Sequence, residues 1–222
     1  MIKIKNLNKT FHPNTARAFI ALDDITLTIQ KNELIILKGV SGSGKSTLLS
    51  IIASLQKPTS GELLIEGEAI SKLPDLHASH FRASSIGFIP QSFNLFETLS
   101  VEENVSVALI PLGFSPKDIA KKTEAALELA QITHKKEELI TNLSGGEKQR
   151  TAIARALVND AKIILCDEPT ANLDTENSKK FIMIIEELKR LGKTIIIATH
   201  DPLFDTLSFT DKIIHMEDGK IL

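Results

Sequence analysis

The chain has 222 residues, a single cysteine, neither tryptophan nor tyrosine, and a formal net charge of −2. That length suits one large domain, or one domain carrying a subdomain, and leaves little room for two. The near-neutral charge provides no footprint for a polyanion, so no nucleic-acid partner is expected, and the lone Cys166 excludes an intramolecular disulfide and suits a reducing compartment.

The N-terminal "MIKIKNL" alternates apolar and polar residues like a strand and lacks the apolar core of a signal peptide. Together with "ITLTIQ" and with "ELLIEG" at 62–67, which follow the same period of two, it predicts a small antiparallel sheet. Three nearly continuous apolar runs, "LIIL" (34–37), "IILC" (163–166) and "TIIIA" (194–198), read as strands buried on both faces, the mark of a parallel sheet covered by helices. The helical patterns are "KSTLLSIIASL" (45–55), "VEENVSVALI" (101–110), "PKDIAKKTEAALELAQI" (116–132), "ARALV" (154–158) and "NSKKFIMIIEELKRL" (177–191). Asp218-Gly219 between two apolar runs predicts a C-terminal hairpin. No run approaches the roughly 20 apolar residues that span a bilayer. The expected architecture is α/β with a mostly parallel sheet over 1–91 and 161–222 and, from "GVSGSGKST" between the first buried strand and a helix, a P-loop NTPase core. It carries an N-terminal antiparallel β subdomain and a helical subdomain inserted over about 92–160.

"GVSGSGKST" fits G-x-x-x-x-G-K-[ST] and lies between the first buried strand and a helix, where a phosphate-binding loop belongs. Residues Gly39, Val40, Ser41, Gly42, Ser43, Gly44, Lys45, Ser46 and Thr47 make up this loop. The glycines let backbone wrap phosphates, Lys45 reaches the β and γ phosphates, and the Ser46 hydroxyl suits Mg2+. Gln91 follows the short strand-like "IGFIP" and reads either as an exposed polar residue or as a contact to Mg2+ or water. "LSGGEKQR" puts Ser144, Gly145 and Gly146 at a helix start, a second place where free N–H groups meet negative charge. Asp167 and Glu168 end the second buried run, a solvated pair when taken alone. Beside a phosphate loop, Asp167 is expected to hold Mg2+ and Glu168 to polarise an attacking water. His200 ends the third run, either as a structural residue or as a contact to the γ phosphate.

The phosphate loop, Gln91, "LSGGE", "IILCDEPTANLD" and His200 occur in the order found in ATP-binding cassette (ABC) ATPases, and the resemblance covers essentially the whole chain. It implies a head-to-tail dimer with a second copy, MgATP lying between the phosphate loop of one subunit and Ser144, Gly145 and Gly146 of the other. It implies Glu168 as general base, Asp174 in "ANLD" at the dimer interface, and Phe11 stacked on adenine where the family usually has tyrosine, the alternative being a core phenylalanine. An integral membrane permease is implied as a further partner, met around Leu99 to Asn104 and around Phe93, Leu95 and Phe96. The expected location is the cytoplasmic face of the inner membrane, held there by that partner.

"FRASSIGFIPQSFNLFETLSVEENV" and "DEPTANLD" are similar to the small cassettes of the lipoprotein-releasing, macrolide-exporting and FtsE-like group. The alternatives are a mechanical cell-division ATPase and an ABC ATPase that serves no transporter. A small-molecule kinase has no use for "LSGGE", and a catalytically dead regulator is disfavoured by the presence of Lys45, Asp167, Glu168 and His200.

Overall fold

The computed structural model describes residues 1–222. The first strands, β1 (Ile2–Phe11) and β2 (Phe19–Ile29), pair antiparallel, and β4 (Ser60–Ile65) and β5 (Glu68–Ala69) complete a four-stranded sheet in the order β2-β1-β4-β5. A second sheet contains β3 (Leu34–Lys38), β6 (Ile86–Ile89), β7 (Ile163–Asp167), β8 (Thr194–Thr199), β9 (Lys212–Glu217) and β10 (Lys220–Ile221). Its order is β10-β9-β3-β8-β7-β6, parallel throughout except for the terminal hairpin. Asp218 and Gly219 both take positive φ, 45° and 78°, as a two-residue turn matched to strand twist requires.

The three apolar runs are adjacent strands, β3-β8-β7, and their continuity has a simple cause. Leu34, Ile36, Ile164, Cys166, Ile195 and Ile197 point to one face, into a cluster of 27 buried residues shared with the helices between β6 and β8. Ile35, Leu37, Ile163, Leu165, Ile196 and Ala198 point to the other, into a cluster of 22 shared with α1 (Lys45–Ile52) and the antiparallel sheet. Both faces are dry, so period-two alternation disappears.

Between β6 and β7 lie α3 (Val101–Ser106), α4 (Pro116–Leu129) and α5 (Gly145–Leu157), and α6 (Thr175–Arg190) joins β7 to β8. Several helices are shorter than their patterns. The first stops at Ile52 because Ser54 has φ 57°, and α4 stops before Gln131 at φ 57°. The 101–110 pattern is α-helical only to Ser106 and then tightens into a 3-10 segment, Val107–Leu112, which contains Pro111. The helix α2 (Asp75–Ser85) was not anticipated; Ala78 is its only buried residue, so it has no apolar stripe to read. Gly87 lets β6 approach α5 closely, since a methyl group there would overlap the Ala156 carbonyl and lie 2.8 Å from Ile164 Cδ1. No helix is long and apolar enough to cross a membrane.

Candidate functional site

The carboxyl ends of β3, β8, β7 and β6 make one rim, and the polar residues that follow each apolar run converge on it. From β3 the chain enters the glycine-rich loop, packed so closely that a methyl group on Gly39 would overlap the Met216 carbonyl and the Ser43 hydroxyl. Gly44, at φ 98°, is the N-cap of α1, and a Cβ there would sit 2.6 Å from the Ala21 carbonyl of β2. No side chain caps α1, so its first N–H groups are free to meet an anion.

Lys45, 5% exposed, folds back over this loop. Its Nζ donates to the carbonyls of Gly39 at 2.7 Å and Val40 at 3.0 Å and lies 3.9 Å from Glu168 Oε1. Burial pushes the Lys45 ammonium below its usual range, while the charges of Glu168 and Asp167 oppose that shift. The Ser46 hydroxyl donates to Asp167 Oδ1 at 2.8 Å. Burial also raises the Asp167 carboxyl, despite the Ser46 hydrogen bond and the Lys45 charge, and the Glu168 charge adds to the rise. A carboxylate and a hydroxyl on hard-oxygen terms, with a cationic lysine beside an uncapped helix, fit a Mg2+-bound polyphosphate.

Glu168 has φ 44°, an uncommon conformation for a residue with a side chain, and its N–H is held by the Ala198 carbonyl at 2.8 Å. Its carboxylate is mostly covered; Oε1 pairs with His200 Nδ1 at 3.0 Å, and Oε2 accepts the His200 backbone N–H at 3.3 Å. The His200 ring is 68% exposed and stands on the solvent side of the pair. Gln91 is also on the rim, two residues past β6, but it is exposed, and no hydrogen bond joins its side chain to Ser46, Asp167 or Glu168. The main-chain carbonyl of Gln91 accepts from Asn172 Nδ2 at 3.1 Å.

The second anion-type feature lies elsewhere. Ser144 caps α5 in a reciprocal box: its hydroxyl accepts the Glu147 N–H, and Glu147 Oε2 accepts both the Ser144 N–H and the Ser144 hydroxyl at 2.8 Å. Ser144 and Gly145 are exposed, Gly146 is buried against Asn177, and no hydrogen bond or ion pair links residues 143–150 to residues 39–47. Asp174 caps α6, and the Asn177 N–H and amide it accepts hold its carboxyl below the usual range. Asn177 Oδ1 in turn accepts from Arg150 Nη1 at 2.9 Å, clipping the start of α5 to the start of α6.

Phe11 ends β1 opposite Phe19, half-buried, with Lys9 Nζ 5.0 Å from its ring centroid. Asn104 is fully buried and holds the 96–100 loop through the Phe96 N–H and the carbonyls of Phe96, Leu99 and Ser100. Val101 is also fully buried and Leu95 packs on the core, whereas Leu99, Ser100 and Glu102 are partly exposed, and Glu103 and Phe96, the latter 53% exposed, stand out. Sequence reasoning missed a cleft of about 540 Å3 lined by Leu76, His80, Arg82, Phe88, Pro111 and Arg155, because one wall is the unanticipated α2. It also missed Lys38, Thr170 and Asp201, polar residues packed beside the rim whose only signal was adjacency to the apolar runs.

The family model described as ABC transporter matches residues 22–171. Over all 222 residues the chain is 38% identical to the uncharacterized ABC transporter ATP-binding protein YknY of Bacillus subtilis, of which it covers 95%. It is also 38% identical to the macrolide export ATP-binding/permease protein MacB of Chlorobaculum tepidum, aligning over its full length with 34% of that protein. Among solved structures, the dimeric bacterial ABC transporter cassette MJ0796 superposes with a TM-score of 0.91 at 37% identity, covering 100% of this chain and 96% of that one. The same cassette is known as a dimer in a post-hydrolysis state bound to ADP and Pi. With a family model over residues 22–171, a matching fold and a relative covered over 95% of its length, the chain belongs to the ABC transporter family of ATP-binding subunits and is an ATPase.

Proposed function

We infer that two copies of this chain close head to tail on two MgATP and drive a separate integral membrane subunit of the lipoprotein-release or efflux type. The observation that carries this reading is the exposed start of α5, an anion-ready helix end with no bond to the glycine-rich loop of its own chain. A second copy gives that end something to bind. The dimeric MJ0796 cassette supports the pairing, and MacB, named as ATP-binding and permease in one protein, supports a membrane partner.

In this reading Lys45 exchanges the Gly39 and Val40 carbonyls for phosphate oxygens, gaining partners of opposite charge. Ser46 and Asp167 are the residues that would hold Mg2+, which neutralises phosphate charge when bound. Glu168 orients water in line with the γ phosphate and accepts its proton, while His200 holds that carboxylate at two points. Ser144, Gly145 and Gly146 face the partner's γ phosphate, Asp174 faces the partner chain, and Phe11 supports the adenine. Gln91 reaches metal or water by a side-chain movement from its exposed position.

The cleft beside α2 is the surface we assign to the membrane subunit, and in this reading that partner holds the ATPase at the cytoplasmic face of the membrane. Leu76, 80% exposed, supplies apolar contact, and Arg82 and Arg155 bring positive charge without a carboxylate partner, which suits a short acidic amphipathic helix.

Glu168→Gln keeps the shape of the side chain and removes the proton acceptor, so hydrolysis should fall by about 10²–10⁴-fold. With MgATP the variant should elute as a dimer and retain a membrane protein when drawn from solubilised membranes. A monomer at saturating MgATP, with its membrane partner present, removes the sandwich; a dimer that captures only ribosomal or DNA-bound proteins removes the transporter.

A further inference from the structure

Asp201, the residue after His200, has no polar atom unused. Its N–H donates to Thr199 Oγ1 at 3.0 Å, and its carbonyl accepts from Lys38 Nζ at 2.6 Å. Its carboxylate accepts the Leu203 N–H at 2.9 Å through Oδ1 and the Thr170 hydroxyl at 2.7 Å through Oδ2. These partners sit at the ends of three strands. Lys38 is the last residue of β3, directly before Gly39; Thr170 follows Glu168 by two positions; Thr199 ends β8. Lys38 and Thr170 are 6% and 5% exposed, and Lys38 Nζ also pairs with Asp205 Oδ1 at 2.7 Å, so little water competes for this network.

The consequence is geometric. Glu168 and His200 stand on two different loops, and the contacts of the Glu168 carboxylate with the His200 ring, 3.0 Å, and with the His200 backbone N–H, 3.3 Å, are the only direct bonds between the two residues. The Thr170–Asp201 bond joins the same two loops a residue or two further on, on the buried side. A carboxylate used to orient water has to be held within about 0.5 Å of its productive position. Glu168, at φ 44°, sits in a conformation that its surroundings must hold in place.

We propose that Thr170 and Asp201 are positioning residues: their hydrogen bond sets the loop carrying Glu168 against the loop carrying His200, and Lys38 anchors both to the root of the glycine-rich loop. Neither residue touches the nucleotide. The inference rests on Glu168 being the water-orienting carboxylate.

Thr170→Val removes the hydroxyl and keeps the shape. Its kcat should fall about tenfold, the effect of roughly one hydrogen bond's worth of transition-state alignment, with KM for MgATP within about twofold of wild type. Thr170→Ser should recover the rate. Asp201→Asn, whose amide can still bond to Thr170, should stay near wild type, whereas Asp201→Ala should match Thr170→Val. In single-turnover assays Thr170→Val should add little to Glu168→Gln, because both remove one function. Wild-type kcat in Thr170→Val, or equal loss in Asp201→Asn and Asp201→Ala, overturns the proposal. So does a Thr170→Val defect that appears in KM and melting temperature alike and that serine does not rescue. An active Glu168→Gln enzyme is a different failure, since it removes the general base itself and with it the premise. Should Thr170→Val fold poorly, the Asn and Ala variants of Asp201 decide alone.

Discussion

Gly146 shows how tightly the start of α5 is fitted. A methyl group there would overlap the side-chain amide of Asn177, which is already committed to Arg150 and to Asp174. Gly146→Ala should cost about 1–3 kcal/mol, the usual penalty for overpacking, measured as a shift in the urea midpoint. Because the obstacle is one side chain, Asn177→Ala in the same molecule should return part of that loss; strictly additive losses would mean the two residues do not collide. The glycine itself could be read from the sequence, but the Asn177 contact could not, since nothing local marks two positions on separate helices as neighbours. Lys45, Asp167, Glu168 and His200 were legible for the opposite reason. Lys45 is announced by the glycine spacing of its loop, and Asp167, Glu168 and His200 each fall within two residues of the end of an apolar run. Asp201 and Thr170 look like ordinary loop residues until the fold sets them 2.7 Å apart.

Helix ends repeat the pattern at the next scale. The structure closes the start of α5 with a capping box not read from the sequence, Ser144 with Glu147 three residues on, in which Glu147 also takes the serine hydroxyl. The Ser144 N–H and hydroxyl hold the Glu147 carboxyl below its usual range, with help from the charges of Lys135 and Arg150. A group depressed in the folded state stabilises it above the unfolded value, about 4.3. That contribution is lost as the pH falls through the lower folded value. Glu147→Gln keeps an acceptor and drops the charge at the helix N-terminus, so it should be less stable by about 0.3–1 kcal/mol at pH 7. The gap between variant and wild type should close in acid as the wild-type carboxyl takes up its proton. Denaturation curves at pH 7 and near pH 3 give the answer, and an unchanged gap would assign the effect to shape rather than charge. What the sequence hid at this scale was α2, whose exposed and polar surface carries no period, and with it one wall of the cleft.

At the scale of the molecule, the question is why one chain carries two anion-ready loops that do not touch. Within a single copy, the start of α5 has no bond to residues 39–47, and its outward face is solvent. In a head-to-tail pair each nucleotide takes its glycine-rich loop from one copy and its α5 end from the other, so damage to the two loops can be separated between chains. Lys45→Ala removes the phosphate-reaching ammonium and spares α5. Ser144→Arg fills the space before α5, at a cap cost of about 1 kcal/mol, and spares the glycine-rich loop. Each variant alone should be nearly inactive, because every site in its dimer has one damaged half. Mixed, they form heterodimers in which one site pairs the intact Lys45 loop of the Ser144→Arg copy with the intact Ser144 of the Lys45→Ala copy; the other site carries both defects. Single-turnover hydrolysis by the mixture should therefore exceed the sum of the separate samples. If both loops served one nucleotide in the same chain, no combination would contain an intact site, and the mixture would do no better than its parts.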